Sequence, residues 1–294
     1  MDSVPYAFCE AVCGVLREND LMNEDGATDY HIWNLAAKRT QEMRLDAKIN
    51  VDFSGRRWSY AIKIRGKNWN DGRTLSFQEL KKLDRQHIHF TYAWIGSQSR
   101  FENRPSTLEE IGEILKFTAP CANLSDMIIP KCCTISEDDL SRLLSFYQNA
   151  TFWRITCLCQ NRASEEFLIA QMQTNALEYF TIRGLKRTEH LRPAIEEFAL
   201  NKDFGSIDVR SPSLLFGRAF FDALVQKQLF RKQSKFEARF SFHSQELMMS
   251  GFQEIEQEYA GKRMRLIRQD GVSVTIRQYK WLSVVELVQP MMWT

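Results

Sequence analysis

One pattern constrains this chain more than any other. The sequence apolar-x-x-apolar-x-apolar occurs at Leu124/Met127/Ile129, Phe152/Ile155/Cys157, Leu177/Phe180/Ile182 and Phe204/Ile207/Val209. The copies begin 28, 25 and 27 residues apart. Each is followed by a helix-start signal and an amphipathic run: Ser136-Glu137-Asp138-Asp139, Ser164-Glu165-Glu166, Thr188, and Ser211-Pro212 with proline at the first helical position. The spacing describes a β-α unit, in which a short strand turns alternate side chains inward and a helix covers them and returns the chain. One such unit cannot bury its apolar face alone, so the units stack side by side with right-handed crossovers. The stack is either a curved repeat array or one layer of an ordinary α/β sheet.

The flanking segments follow other periods. Phe8, Val12, Val15 and Leu16 recur at helical spacing behind Pro5, and a second helix is expected from about Asp29 to Met43, with Ile32, Leu35, Ala36 and Met43 on one side and Thr28 or Asp29 as its cap. Ile49, Val51 and Phe53, a turn at Ser54-Gly55, then Trp58, Tyr60, Ile62 and Ile64 read as a β-hairpin with one apolar, aromatic, core-facing side. Ser76–Leu83 is a short helix, and Ile88, Phe90, Tyr92 and Trp94 mark another strand. Ser106-Thr107-Leu108-Glu109 fits a capping box for a helix reaching about Phe117. Beyond residue 230 the repeat stops. Phe236, Phe240 and Phe242 suggest a strand, and residues 244–260 a helix with Leu247, Met248, Phe252 and Ile255 on one face. Met264–Ile267 and Val272–Ile276 flank the hairpin turn Gln269-Asp270-Gly271, and Trp281–Val288 is a last strand. The expected fold class is therefore α+β: N-terminal helices, a β-hairpin segment, stacked β-α units and a C-terminal antiparallel cap. The expected division is 1–44 and 45–294, with the repeat-like units at about 121–230 and the C-terminal module at about 231–290.

Composition excludes more than it selects. Of 294 residues, 44% are hydrophobic and 26% charged, and the formal net charge is +2, which forces neither disorder nor a polyanionic partner. No apolar run approaches the roughly 18 residues of a membrane span, and the opening Met1-Asp2-Ser3 lacks the basic region of a signal peptide. Seven cysteines, an odd number with no CxxC pair, point to a reducing, intracellular setting, cytoplasmic or nuclear. Cys132-Cys133 reads as two small residues at a strand end. No phosphate-binding glycine loop and no nucleophile elbow is present, so no catalytic residue, cofactor-binding residue or metal ligand is assigned and no enzymatic activity is expected. His87 and His89 share a strand face, which the pattern assigns to the solvated side. The pairs Asp138-Asp139 and Glu165-Glu166 read as first-turn acids facing the helix dipole. The basic stretch 227–268, with Lys227, Arg231, Lys232, Lys235, Arg239, Lys262, Arg263, Arg265 and Arg268, reads as solvated charge rather than a nucleic-acid patch.

The period of the β-α units lies in the range of leucine-rich repeats, which the segment resembles in a degenerate, phenylalanine-rich form. The N-terminus resembles the opening of an F-box through Pro5, Phe8, Val12, Leu16, Asp20-Leu21 and Trp33, with Lys38 and Arg39 following. The whole layout, with Met-Asp-Ser-Val-Pro-Tyr-x-Phe-Cys at the start and Tyr92-Ala93-Trp94-Ile95 closing the β-rich segment, resembles the nematode-expanded F-box and F-box-associated families. That resemblance implies an N-terminal helix pair that binds a Skp1-type adaptor, with Pro5, Phe8, Val12 and Leu16 as the contact residues. It also implies a C-terminal domain that captures a ubiquitination substrate. The expected function is a non-enzymatic protein-interaction protein, a substrate-recognition adaptor of a Skp1-cullin-type ubiquitin ligase. The alternatives are a stand-alone repeat scaffold that binds protein partners without an adaptor, and a nucleic-acid-binding protein using residues 227–268.

Overall fold

The structure, a computed structural model, describes residues 5–15, 31–54, 56–65, 72–96, 103–122, 125–130, 135–158, 161–183, 189–210, 214–230, 237–242, 253–258, 261–267, 273–279 and 284–288. It mixes helices and strands in the α+β manner the patterning requires. The chain falls into two compact units, 1–128 with 133–153, and 129–132 with 154–294.

The first unit opens with α1 (Tyr6–Val15) and α2 (His31–Met43). The hairpin follows as β1 (Leu45–Ser54) and β2 (Arg57–Ile64), in register from Ala47↔Ile64 to Ser54↔Arg57. Arg56 adopts φ 64° in the connection. Next come β3 (Arg73–Leu75), α3 (Phe77–Lys81), β4 (Ile88–Gly96), β5 (Arg104–Ser106), α4 (Leu108–Thr118), β6 (Ser125–Ile129) and α5 (Glu137–Ser145). The strand order is β3-β2-β1-β4-β6, with β5 pairing β2. β1 lies antiparallel to β2 and parallel to β4. A strand flanked on both sides reads less cleanly than an edge: Asn50 and Asp52 are buried along with Ile49 and Val51.

The second unit holds β7 (Phe152–Cys157, shared with the first unit), α6 (Arg162–Met172), β8 (Tyr179–Arg183), α7 (Arg192–Asn201), β9 (Ser206–Arg210), β10 (Leu215–Phe216), α8 (Arg218–Phe230) and β11 (Glu237–Phe242). It ends with β12 (Gln253–Glu258), β13 (Gly261–Ile267), β14 (Ser273–Tyr279) and β15 (Val284–Val288). The order is β7-β8-β9-β11-β15-β14-β13-β12, with β10 beside β11. Strands β7, β8, β9 and β11 are parallel, and the neighbours from β11 through β15, β14 and β13 to β12 are antiparallel throughout.

The repeat template marks the strands and their core-facing residues. Met127, Ile129, Phe152, Ile155, Cys157, Leu177, Phe180, Ile182, Phe204, Ile207 and Val209 are all buried. Leu124 lies outside the described residues. Phenylalanine does the work that leucine would do elsewhere: Phe180 meets Phe198 edge-on at 5.2 Å, and Phe216, Phe220 and Phe240 form a triangle with centroids 4.9–5.2 Å apart.

Helix starts depart from the sequence reading in three places. Thr107, not Ser106, caps α4: its hydroxyl accepts from Glu110 N at 3.2 Å, while Ser106 Oγ donates to the Glu110 carboxylate at 2.7 Å. Asn161 caps α6, accepting from Ser164 N at 3.0 Å, so Ser164 stands inside the first turn. The last β-α helix begins at Arg218 rather than at Ser211-Pro212, because Leu215–Phe216 first pairs with β11. Ser136 caps α5 as expected. The expected helix at 244–260 is corrected by a strand at Gln253–Glu258, which β13 recruits by pairing. The Thr28 and Thr188 cap positions, Cys132-Cys133 and the turn Gln269-Asp270-Gly271 lie outside the described residues.

Candidate protein-interaction site

The N-terminal helix pair is built from small residues. Cys9 and Cys13, one turn apart on α1, meet Ala36 and Ala37 on α2, and all four are buried, with Tyr6 and Trp33 packed against them. Side chains this short let the two helices approach closely and leave little room for larger apolar groups between them. Cysteine here behaves as a small hydrophobe. Arg39 reaches across to Glu10 at 3.4 Å on the exposed side.

What the pair cannot bury it displays. The exposed large hydrophobic residues among the described ones are Phe8, Ile32, Leu35 and Met43, and every one belongs to α1 or α2. Phe8 is 55% exposed and touches Trp33 edge-on with ring centroids 6.2 Å apart. Of the residues expected to contact an adaptor, Pro5 is exposed at the start of α1, Phe8 is exposed, Val12 is half-buried, and Leu16 lies outside the described residues, as do Asp20 and Leu21. The sequence spacing groups Ile32, Leu35, Ala36 and Met43 on one side of α2; the structure buries Ala36 and leaves the other three exposed, because the inner face is filled by Ala36, Ala37 and Trp33.

A third face of α1 carries Ala7, Ala11 and Gly14, and borders a cleft of about 620 Å³ that also touches Arg39, Arg85 and His89. A β-carbon at Gly14 would meet no atom within 4 Å.

The pair joins the sheet through a buried polar cluster. Arg44, between α2 and β1, donates from Nε to Asp46 Oδ1 at 2.8 Å and from Nη2 to His89 Nδ1 at 2.7 Å. Arginine can only donate, so Nδ1 accepts and His89 is the neutral tautomer protonated on Nε2. His89 is therefore not on a solvated strand face: it is buried, and His87 ends a short 3-10 turn (Arg85–His87) instead of sharing the strand with it.

The acidic pairs are held structurally. Ser136 caps the turn that carries Asp138 and Asp139. Glu165 is buried and meets His190 Nε2 at 2.7 Å, and Glu166 pairs with Arg162 at 2.6 Å. Burial pushes the Glu196 carboxyl up, with Arg192 opposing. Among the described residues no three His, Cys, Asp or Glu side chains gather as a metal site requires. No helix among them is long and apolar enough to cross a membrane. Of the basic stretch 227–268, the side chains of Lys227 and Arg239 are described, and each has a partner within the chain. Lys227 turns inward and donates to the carbonyls of Ala199 at 2.8 Å and Lys202 at 2.6 Å. Arg239 lies 3.9 Å from Asp208, and Arg231, Lys232, Lys235 and Arg268 fall outside the described residues.

No protein-family model, no curated protein and no solved structure matches this chain.

Proposed function

We propose that this chain is a non-enzymatic interaction protein whose helix pair α1–α2 docks an adaptor of the Skp1 type, making it a substrate-recognition component of a cullin ubiquitin ligase. The observation that carries the reading is the placement of Phe8, Ile32, Leu35 and Met43, all exposed and all on this pair. Fully burying one such side chain contributes roughly 1.5–3 kcal/mol, so a helix pair that displays four gains most by covering them with a partner. The F-box resemblance of Pro5, Phe8, Val12 and Leu16 supplies the identity of that partner. Within the stretch 227–268, Lys227 gives no support to the nucleic-acid alternative, because it spends its ammonium group on helix-end carbonyls.

The test is co-purification of the full chain with recombinant Skp1-type adaptor, beside the variants Phe8→Asp, Leu35→Asp and Leu16→Asp. Phe8 and Leu35 are exposed, so their charged variants keep the fold, which circular dichroism checks. The expected result is co-elution of the unaltered chain and at least about thirtyfold weaker binding by Phe8→Asp, the loss of one interface anchor. A folded, unaltered chain that fails to retain the adaptor sinks the reading.

A further inference from the structure

Among the described residues, the helices that follow the parallel strands of the second unit cover one face of its sheet. Its parallel strands β7, β8, β9 and β11 stand side by side in chain order. Right-handed crossovers then place every connecting helix on the same side. Accordingly α6, α7 and α8 pack next to one another. The residues pointing toward them, Ile155, Cys157, Phe180, Ile182, Ile207, Val209 and Phe240, are buried. The alternate residues form the opposite face. Thr156, Thr181, Asp208 and Arg239 make one register row across the four strands, and Arg154, Tyr179 and Ser206 begin the next.

That opposite face is charged and accessible. Arg154 is exposed and holds its guanidinium 5.2 Å from the centre of the Tyr179 ring. Arg183 donates from Nη2 to Asp208 Oδ2 at 2.8 Å, with Arg183 51% exposed and Asp208 only 7%. Arg239, 31% exposed, lies 3.9 Å from the same oxygen. One buried carboxylate thus holds the Arg183 guanidinium by a hydrogen bond and stands close to that of Arg239, and a third guanidinium stands on an aromatic ring. By register the four strands place Arg154, Arg183, Arg210 and Arg239 on this face with Asp208 and Glu237, which leaves an excess of positive charge.

We propose that this open face docks an acidic segment of a protein partner, with Arg154, Arg183 and Arg239 taking its carboxylates. Guanidinium forks match carboxylates in a bidentate, planar geometry, and oriented arginines lose little freedom on binding. A protein segment fits better than a nucleic acid because the arginines alternate with acids. Asp208 lies between Arg183 and Arg239, and Glu286 is the register partner of Arg239. A polyphosphate backbone presents like charge at every step and would meet those acids; a protein segment sets acidic residues only where arginines stand. This surface is distinct from the helix pair, and the inference holds whether or not that pair binds an adaptor.

The test is fluorescence anisotropy of the full chain with three labelled probes at low salt: a peptide of alternating Glu and Ser, the same peptide with Gln for Glu, and a single-stranded oligothymidylate. The variant is Arg154→Glu with Arg183→Gln; glutamine can still donate an N–H to Asp208, so the buried carboxylate keeps a partner. Arg154→Glu alone, at an exposed position, is the second variant should the double one unfold. The expected result is binding of the acidic peptide at least tenfold tighter than its glutamine counterpart, and at least tenfold weaker in either folded variant. Equal binding by variant and unaltered chain, or none of the acidic peptide, overturns the proposal. Tighter binding of the oligothymidylate, lost in the same variants, would assign the face to nucleic acid and overturn the partner class.

Discussion

Gly205 lies directly against the ring of Tyr179, so close that a β-carbon there would fall on the ring atoms. The contact is set by the β8–β9 junction, where Gly205 N donates to Glu178 O at 2.9 Å. Tyr179 in turn carries Arg154 on its ring, so the glycine indirectly positions a guanidinium on the open sheet face.

Gly205→Ala is therefore expected to destabilise the second unit by about 1–3 kcal/mol, the usual effect of forcing a methyl into an occupied space. Denaturant unfolding measures it. The double change Gly205→Ala with Tyr179→Ala removes the collision, and should recover part of the loss. A single variant as stable as the unaltered chain would show that the ring does not rest there.

The cap of α4 gives a second prediction. Thr107→Ala removes the acceptor of the Glu110 N–H and should cost about 1 kcal/mol, whereas Ser106→Ala leaves that N–H satisfied and should cost less. The reverse order of the two losses in denaturant unfolding would place the cap at Ser106, where the sequence spacing alone puts it.

That difference of one residue illustrates what the sequence does and does not encode. The four strands of the β-α units are legible because their alternate residues are buried by one layer of helices, which leaves a period of two with little ambiguity. Helix starts are less legible: Asn161 rather than Ser164 caps α6 because only Asn161 has extended backbone, φ −134° and ψ 163°, and several nearby residues carry a suitable oxygen. The strand Gln253–Glu258 is illegible. It holds one apolar residue, Ile255, whose spacing from Leu247, Met248 and Phe252 is helical, and pairing with β13 overrides that local preference. In the helix pair, Phe8 and Val12 were readable as an apolar stripe. The burial of His89 was not, because its partner Arg44 is 45 residues away. The arginines of the open face were visible only as polar alternates within strands; their meeting at Asp208 depends on register.

Tyr147 offers a test of the first unit's core. It is fully buried, its ring lies 5.7 Å from Phe152, and its hydroxyl meets Thr118 Oγ1 at 3.1 Å. The Thr118 hydroxyl donates to Leu115 O at 3.2 Å, so Tyr147 is the donor to Thr118. Burial pushes the phenol well above its ordinary range. Tyr147→Phe should cost only about 0.5–1.5 kcal/mol, since Thr118 keeps its own bond to Leu115. Tyr147→Ala should cost about 3–5 kcal/mol through the cavity it leaves. Equal losses in the two variants, read by denaturant unfolding, would mean that the hydroxyl rather than the ring holds the site.

The last prediction concerns pH. Burial pushes the Lys227 amine down from 10.5 to about 8. Below pH 8 native and unfolded chains both carry this proton, and the fold bears the whole cost of desolvating the ammonium. Between pH 8 and 10.5 the unfolded chain keeps a proton that the native chain has released. The unfolded state then binds more protons, so the contribution of this group to stability rises with pH across that window. The neutral amine still has two N–H groups, enough for the carbonyls of Ala199 and Lys202. The stability of the unaltered chain minus that of Lys227→Met should therefore be level up to about pH 8 and climb toward pH 10. A level difference across the whole range would show that the amine keeps its ordinary affinity for protons in the fold.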